Sequence, residues 1–229
     1  MTENRPKPIK IFLQIIILMG ILALILFIPA GTFDWPQAWI FIIVITVYFL
    51  LYVFIGIFQD PEQTKERSHM AANVKHWDKL LMALYTALLP TVFIVAGLDW
   101  GRLNWSRVPI IAQVLTWFGL VLAGGLILWT VHTNTYLSRY ARIQEDRHQQ
   151  VITTGPYQII RHPMYLGIII LFFCLGPALG SLYALIPGFL IDVIFVFRTT
   201  KEDKMLRAEL PGYQAYTKFV RFRLIPFIW

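Results

Sequence analysis

Six long apolar runs, separated by polar intervals, dominate the pattern of the chain. They cover about residues 11–28, 39–58, 80–98, 109–131, 165–179 and 182–197. A transmembrane helix needs roughly 20 mainly apolar residues, and it satisfies its backbone hydrogen bonds internally, as the bilayer interior requires. The pattern therefore predicts an all-α integral membrane protein with about six transmembrane helices.

The last two runs are shorter than the others, and only Gly180 and Ser181 separate them. Together with Gly176 and Pro177, this break predicts a C-terminal helical hairpin whose freed backbone groups are bonded inside the protein. The following segment, 199–212, combines charged and apolar residues at helical spacing. It predicts a cytosolic amphipathic helix, which the Pro-Gly pair at 211–212 ends.

Composition supports a membrane location. Hydrophobic residues make up 57% of the chain and charged residues 14%, whereas soluble domains carry about 25% charged residues. Trp35, Trp39, Trp100 and Trp105 lie at the ends of the early runs, which is typical of an interfacial aromatic belt. The single cysteine, Cys174, allows no disulfide within the chain. We expect one membrane domain formed by residues 1–229.

The distribution of basic residues predicts the orientation. Of the 20 Lys and Arg residues, Arg102 and Arg107 are the two in the loops after the first and third helices, and the other 18 lie in the remaining polar segments. By the positive-inside rule, both termini and the interval 133–161 are expected in the cytoplasm. The net charge of +7 is then an orientation signal, and no nucleic-acid partner is expected because the basic residues are dispersed.

The residues that could carry chemistry lie where the apolar helices of the hairpin adjoin polar segments of the chain. Pro163 suits the first turn of a helix, which places His162 at its cap, beside free N–H groups that attract a carboxylate. Tyr165 follows on the same turn. An alternative interpretation is a basic interfacial anchor formed by Arg161 and its neighbours, and the residues alone do not choose between the two.

Arg198 and Glu202 are four residues apart and share a helix face. A solvated ion pair would contribute under about 1 kcal/mol, but their place beside the His-Pro-Tyr turn makes a binding site a competing interpretation. Asp192 is the only acid well inside an apolar run and is a functional candidate on that ground, although a structural role is favoured.

Familiar catalytic templates are missing from the sequence. It contains no dinucleotide-binding or P-loop glycine pattern, no nucleophile elbow and no Cys/His spacing typical of a metal site. We predict no metal site, and an enzyme of this sequence must bind its cofactor outside those folds.

The polar motifs follow one another in a recognisable order: Gly155-Pro156-Tyr157, Arg161-His162-Pro163-Met164-Tyr165, Arg198 with Glu202, Gly212-Tyr213 with Tyr216, and Arg223 with Pro226. This series resembles the isoprenylcysteine carboxyl methyltransferase family, within the wider group that includes phospholipid methyltransferases. The resemblance covers roughly the last hundred residues and implies a methyltransferase-like catalytic region in residues 133–229. This region follows the four N-terminal transmembrane helices that the apolar runs predict in residues 1–132.

The resemblance also implies a site for S-adenosylmethionine between the segment before the hairpin and the C-terminal helix. Carried over to this chain, the site would consist of Gln144, Gln149, Gln150, Val151, Ile152, Tyr157, His162, Pro163, Met164, Tyr165 and Glu202. Arg198 falls where the family places a substrate-contacting arginine, so Arg198 and Glu202 are the expected catalytic pair. Relatives usually carry His where Gln149 stands, and His148 is one residue earlier here.

The implied reaction is methyl transfer to a lipid-soluble acceptor, most simply a carboxylate such as that of a prenylated cysteine. A carboxylate is ionised at neutral pH and needs no general base, and an arginine such as Arg198 can hold it by paired hydrogen bonds. An amino lipid is an alternative acceptor that would need a proton acceptor such as Glu202 or His162.

A sterol-reductase-like NADPH enzyme and a non-enzymatic membrane protein are further alternatives. Membrane lipids are expected partners, and the oligomeric state stays open.

Overall fold

The computed structural model describes residues 8–58 and 74–229, and the regular elements in this part of the chain are helical. The α-helices are α1 (Pro8–Ala30), α2 (Pro36–Phe58), α3 (His76–Gly97), α4 (Ile110–Thr133), α5 (Pro163–Ala178), α6 (Leu185–Glu209) and α7 (Tyr213–Phe219). A π-helical turn, Leu98–Leu103, extends α3, and two 3₁₀ turns, Glu145–Arg147 and Gly155–Gln158, lie between α4 and α5. The predicted all-α class is confirmed.

Four of the described helices are long and apolar enough to cross a membrane, over Phe12–Ala30, Pro36–Ile55, His76–Leu103 and Ile110–Thr133. Large apolar side chains remain exposed along them, for example at Ile43 and Ile111, as expected for helices surrounded by lipid. The basic residues Arg5, Lys7 and Lys65, which contribute to the orientation argument, lie outside the described residues.

The predicted hairpin is present, and it reaches the far end of the bundle although α5 has only 16 residues. At its turn, the indole Nε1 of Trp35, just before α2, donates to the Leu179 carbonyl at 2.9 Å. Asp99, at the end of α3, accepts from the Ser181 hydroxyl at 2.6 Å. The turn therefore lies where α1 meets α2 and where α3 ends. This is called the turn end, and the opposite one, which contains residues 134–165, the pocket end.

Two buried polar groups at the turn end, the Asp99 carboxylate and the Trp35 indole, are bonded within the protein, as the broken helices require. The Asp99 carboxylate is fully buried and also accepts from the Ser106 backbone N–H at 2.8 Å and hydroxyl at 2.5 Å. Trp35 is fully buried as well and stacks on Trp100 with ring centroids 6.1 Å apart. Its assignment to an interfacial belt is therefore wrong, because its indole fills the core and bonds the hairpin turn.

The polar end of α6 is not a separate helix. The helix runs unbroken from Leu185 to Glu209, so the segment predicted as an amphipathic helix is helical as far as Glu209 and continues the second helix of the hairpin. Neither Gly nor Pro occurs between Gly188 and Pro211, and no residue in that interval interrupts the backbone ladder. The expected stop is present, because Gly212 adopts a φ of +83° before α7.

Close packing between helices brings the polar ends together. A Cβ on Gly167 of α5 would lie 2.6 Å from the Ile127 side chain of α4, which is the close approach that small residues permit between membrane helices. Helix α5 also packs along α6, and α6 along α3. Helices α3, α5 and α6 consequently meet at the pocket end.

Candidate active site

A cavity of about 550 Å³ lies at the pocket end, within the range of roughly 300–1,000 Å³ that small-molecule sites occupy. Helices α5 and α6 form one wall, and the segment 134–152 forms another. Helix α7 adds Tyr213 and Tyr216. Helices α2 and α3 supply a mainly apolar wall of Phe49, Tyr52, Met82 and Tyr85.

Most residues of the expected cofactor site line this cavity. They are Gln149, Gln150, Val151, Ile152, Tyr157, His162, Met164, Tyr165 and Glu202, and Arg198 lines it too. The sequence motifs are therefore brought together in space. Sequence reasoning missed the wall from α2 and α3, whose residues look like ordinary membrane-helix side chains.

Two of the expected residues shape the site from behind the wall. Gln144 is buried; its amide donates to the Tyr136 carbonyl at 2.5 Å, and its side-chain oxygen accepts from Arg147 at 2.8 Å. Its backbone N–H donates to the Gln149 side chain at 2.8 Å. Pro163 is the first residue of α5, as its sequence context predicts. Gln144 and Pro163 therefore help to hold the backbone of the segments that form the cavity wall.

A hydrogen bond joins the two polar ends of the hairpin. The Tyr165 hydroxyl donates to the Glu202 carboxylate, and the Tyr165 ring lies parallel to that of His162, with centroids 5.7 Å apart. The expectation that these ends lie close together is confirmed. Glu202 is half-buried, so its carboxylate can face both the cavity and solvent.

Arg198 is buried and paired with a residue that the sequence did not suggest. Its Nε donates to Asp78 of α3 at 2.7 Å, and its Nη2 donates to the other Asp78 oxygen at 3.2 Å. Nη2 also donates to the Arg139 carbonyl at 2.8 Å, and the guanidinium lies over the Tyr165 ring at 5.2 Å. An acid in the first turn of an apolar helix was the only available signal for Asp78.

A second buried carboxylate, Asp203, organises the back of the site. It accepts hydrogen bonds from Arg161 at 2.8 Å, Arg207 at 3.0 Å, Arg223 at 3.1 Å and Tyr213 at 3.1 Å, and it lies 3.5 Å from the His162 ring. Burial alone would raise the pKa of the Asp203 carboxyl, but the hydrogen bonds from His162 and Arg161 hold this pKa well below its usual range. Burial, reinforced by the Asp203 charge, raises the pKa of Tyr213.

The C-terminal tail is bonded directly to the His-Pro-Tyr turn. The backbone N–H of Arg161 donates to the Phe222 carbonyl at 3.0 Å, and that of His162 donates to the Arg223 carbonyl at 2.9 Å. The Arg161 guanidinium adds a bond to the Val220 carbonyl at 2.8 Å. The motif residues Arg161 and Arg223 thus connect the tail to the turn and hold His162 in place.

Asp192 lies deeper in α6 and is absent from the cavity wall. It is buried, and one of its carboxyl oxygens has no hydrogen-bond partner among the described residues. Its functional candidacy stays a prediction.

The fold and the cavity define a helical membrane protein with a cavity of small-molecule size, lined in part by polar residues, at one end of the bundle. Residues 108–210 match the model of the phospholipid methyltransferase family. This match confirms the resemblance to membrane methyltransferases and covers α4, α5 and α6, including Arg198 and Glu202. Comparison with curated proteins gave no match. The match supports a membrane methyltransferase.

Proposed function

We propose that the protein transfers a methyl group from S-adenosylmethionine to a lipid-soluble acceptor. One observation carries the proposal: residues from motifs up to 53 positions apart, Gln149 to Glu202, line one cavity of a suitable size. The family match over residues 108–210 supports the same reaction class.

The cavity fits the proposed cofactor chemically. Glu202 offers a carboxylate for an ammonium group, and the backbone of residues 149–152 offers donors and acceptors along one wall. Tyr157 and Met164 add flat or polarizable apolar surface. When bound, S-adenosylmethionine supplies an electrophilic methyl carbon on a positively charged sulfur.

The chain's own residues orient the acceptor and exclude water, which can account for a large part of the rate of such a transfer. The apolar wall from α2 and α3 continues the membrane-spanning part of the bundle. An acceptor with an apolar chain can therefore enter sideways from the bilayer while its polar head reaches Tyr165 and Arg198.

The first candidate acceptor is a carboxylate, such as that of a prenylated cysteine. Its oxygen would bond to the methyl carbon while the carbon–sulfur bond breaks and the electron pair stays on sulfur. No base is needed, because a carboxylate is already ionised at neutral pH. Arg198 lines the cavity, but its Nε and Nη2 donate to Asp78, which leaves Nη1 to meet the acceptor.

The second candidate acceptor is an amino lipid, and the carboxylate of Glu202 in the cavity wall favours it. An ammonium headgroup must lose a proton before its nitrogen can bond to the methyl carbon. Glu202 or His162 would take that proton, and the negative charge of Glu202 attracts the cationic head.

Calorimetry on detergent-purified protein tests the proposed function. We expect S-adenosylmethionine to bind and Glu202→Gln to weaken this binding by about tenfold or more, since hydrogen bonds to charged groups contribute roughly 1.5–3 kcal/mol. Glu209→Gln is the matched control, because Glu209 is on the same helix, exposed, and paired with Lys75. Unchanged affinity in both Glu202→Gln and His162→Ala, or binding of NADPH in place of S-adenosylmethionine, would overturn the proposal.

A further inference from the structure

Asp78 connects three parts of the protein at the edge of the cavity. It lies in the first turn of α3 and is fully buried. Its oxygens accept from two nitrogens of Arg198 on α6 and, at 2.6 Å, from the backbone N–H of Ala141 in the cavity wall. It stands outside the family-matched segment 108–210.

The pairing changes the charge that an acceptor meets. An unpaired buried arginine attracts anions strongly, whereas one in contact with a carboxylate presents little net charge. Of the other basic wall residues, Arg161 is paired with Asp203, Arg142 with Asp146, and Arg139 is exposed to solvent. The carboxylate of Glu202, bonded to the neutral hydroxyl of Tyr165, then adds a negative charge to the wall beside the paired Arg198.

The pairing also occupies the useful edge of the guanidinium. Arginine binds a carboxylate most strongly through two parallel N–H hydrogen bonds from one edge of its planar guanidinium group. In Arg198, the edge formed by Nε and Nη2 is already bonded to both oxygens of Asp78. An acceptor carboxylate would have to displace Asp78 or accept a single bond.

We propose that Asp78 is a specificity-determining residue, which makes the acceptor site favour an amine headgroup over a carboxylate. Asp78 acts through Arg198 and is therefore a positioning residue. The proposal rests on the proposed function for the nature of the site, but its test measures binding and does not require turnover.

The test compares two simple amphiphiles of equal chain length, dodecanoate and dodecylamine. Their affinities are measured by calorimetry in nonionic detergent at neutral pH, with and without S-adenosylhomocysteine. We expect the wild type to bind dodecylamine more tightly. Asp78→Asn should shift the affinity ratio toward dodecanoate by about tenfold or more. The reason is that removing one unit charge at roughly 8 Å from the headgroup, at an effective dielectric constant of about 20, changes the binding affinity of a charged headgroup by at least that factor.

A matched control separates this charge effect from loss of a buried carboxylate in general. Asp99 is equally buried but lies at the turn end, bonded to Ser106 and Ser181. Asp99→Asn should leave the affinity ratio at the wild-type value, and Asp78→Glu, which keeps the charge, should do the same. An unchanged ratio in Asp78→Asn, or a wild-type preference for dodecanoate, would contradict the proposal.

A double variant keeps the test decisive if Asp78→Asn does not fold. Asp78→Asn with Arg198→Gln removes both charges of the pair, an exchange that buried ion pairs often tolerate. Its affinity ratio should stay within about threefold of the wild type, and a shift of tenfold or more would overturn the proposal. Failure of the wild type to bind S-adenosylmethionine would instead contradict the proposed function, whatever the ratio of the affinities for dodecylamine and dodecanoate.

Discussion

At the scale of single residues, two buried carboxylates that are absent from the cavity lining support the cavity wall. Asp78 pairs with the buried Arg198, and Asp203 pairs with the buried Arg161. The desolvation of such charges is costly, so removing one partner leaves the other destabilising. The same two residues fix Arg198 and His162, which line the cavity.

Replacing Asp203 should destabilise the protein strongly. Asp203→Ala leaves Arg161, which is 4% exposed, without its carboxylate, and we expect a loss of about 3–5 kcal/mol in the free energy of unfolding. Thermal unfolding in detergent measures this. Asp146→Ala is the control, because the Asp146 side chain is 61% exposed where it pairs with Arg142, and its loss should cost under about 1 kcal/mol. Equal melting temperatures for the two variants would contradict the expectation.

The contribution of Asp203 should resist mild acid. Its folded pKa lies below the value of about 3.9 in an unfolded chain. Such a carboxylate stabilises the fold above the unfolded pKa, and this stability is lost only as the pH falls through the lower folded pKa. The difference in melting temperature between wild type and Asp203→Ala should therefore be constant from neutral pH to about pH 5.

The sequence predicted which residues meet at the site better than it predicted their contacts. Motif order identified Tyr165, Glu202 and Arg198, and all three line the cavity. Their partners were harder to predict, because spacing reveals only neighbours on the same helix. Arg198 bonds Asp78 across 120 positions of the chain, a pairing that only the packing of α3 against α6 creates.

At the scale of elements, the length of the apolar runs predicted the helices well, and the breaks within them predicted the hairpin. The turn itself depends on one backbone conformation. Gly180 has a φ of +89°, and a Cβ there would lie 2.7 Å from the Trp100 ring. No sequence pattern indicates this contact, because Trp100 belongs to another helix and its position is typical of an interfacial residue.

Gly180→Ala should therefore destabilise the hairpin. The left-handed conformation costs a residue with a Cβ about 1–2 kcal/mol, and displacement of Trp100 adds to this. Gly125→Ala in α4 is the matched control, since nothing lies within 4 Å of its added Cβ. That variant should be neutral or slightly stabilising, because Ala favours a helix interior by up to about 1 kcal/mol. Thermal unfolding of both variants gives the comparison, and similar melting temperatures would refute it.

At the scale of the whole molecule, the two ends of the bundle differ in chemistry. The pocket end carries Arg139, Arg142, Arg161 and Arg198, whereas the turn end carries Arg102 and Arg107. The positive-inside rule assigns the pocket end to the cytoplasm, where a water-soluble cofactor is available. The orientation remains a prediction of the charge pattern.

Labelling of introduced cysteines in intact cells measures this orientation. Asn104 and Thr153 are exposed at opposite ends. With an impermeant thiol reagent, Asn104→Cys should react directly, and Thr153→Cys should react only after the cells are permeabilised. The wild type sets the background, because its Cys174 is buried. The reverse labelling pattern would place the pocket outside the cytoplasm.

The Asp78–Arg198 pair affects what happens when this site is exchanged between related proteins. Arg198 lies inside the segment that carries the family pattern, residues 108–210, and Asp78 lies before it. A chimera that exchanges this segment between relatives would move the arginine and leave its counter-charge behind. Two proteins with the same motifs can then differ in the headgroups they accept, and the cause would lie in a helix that no motif marks.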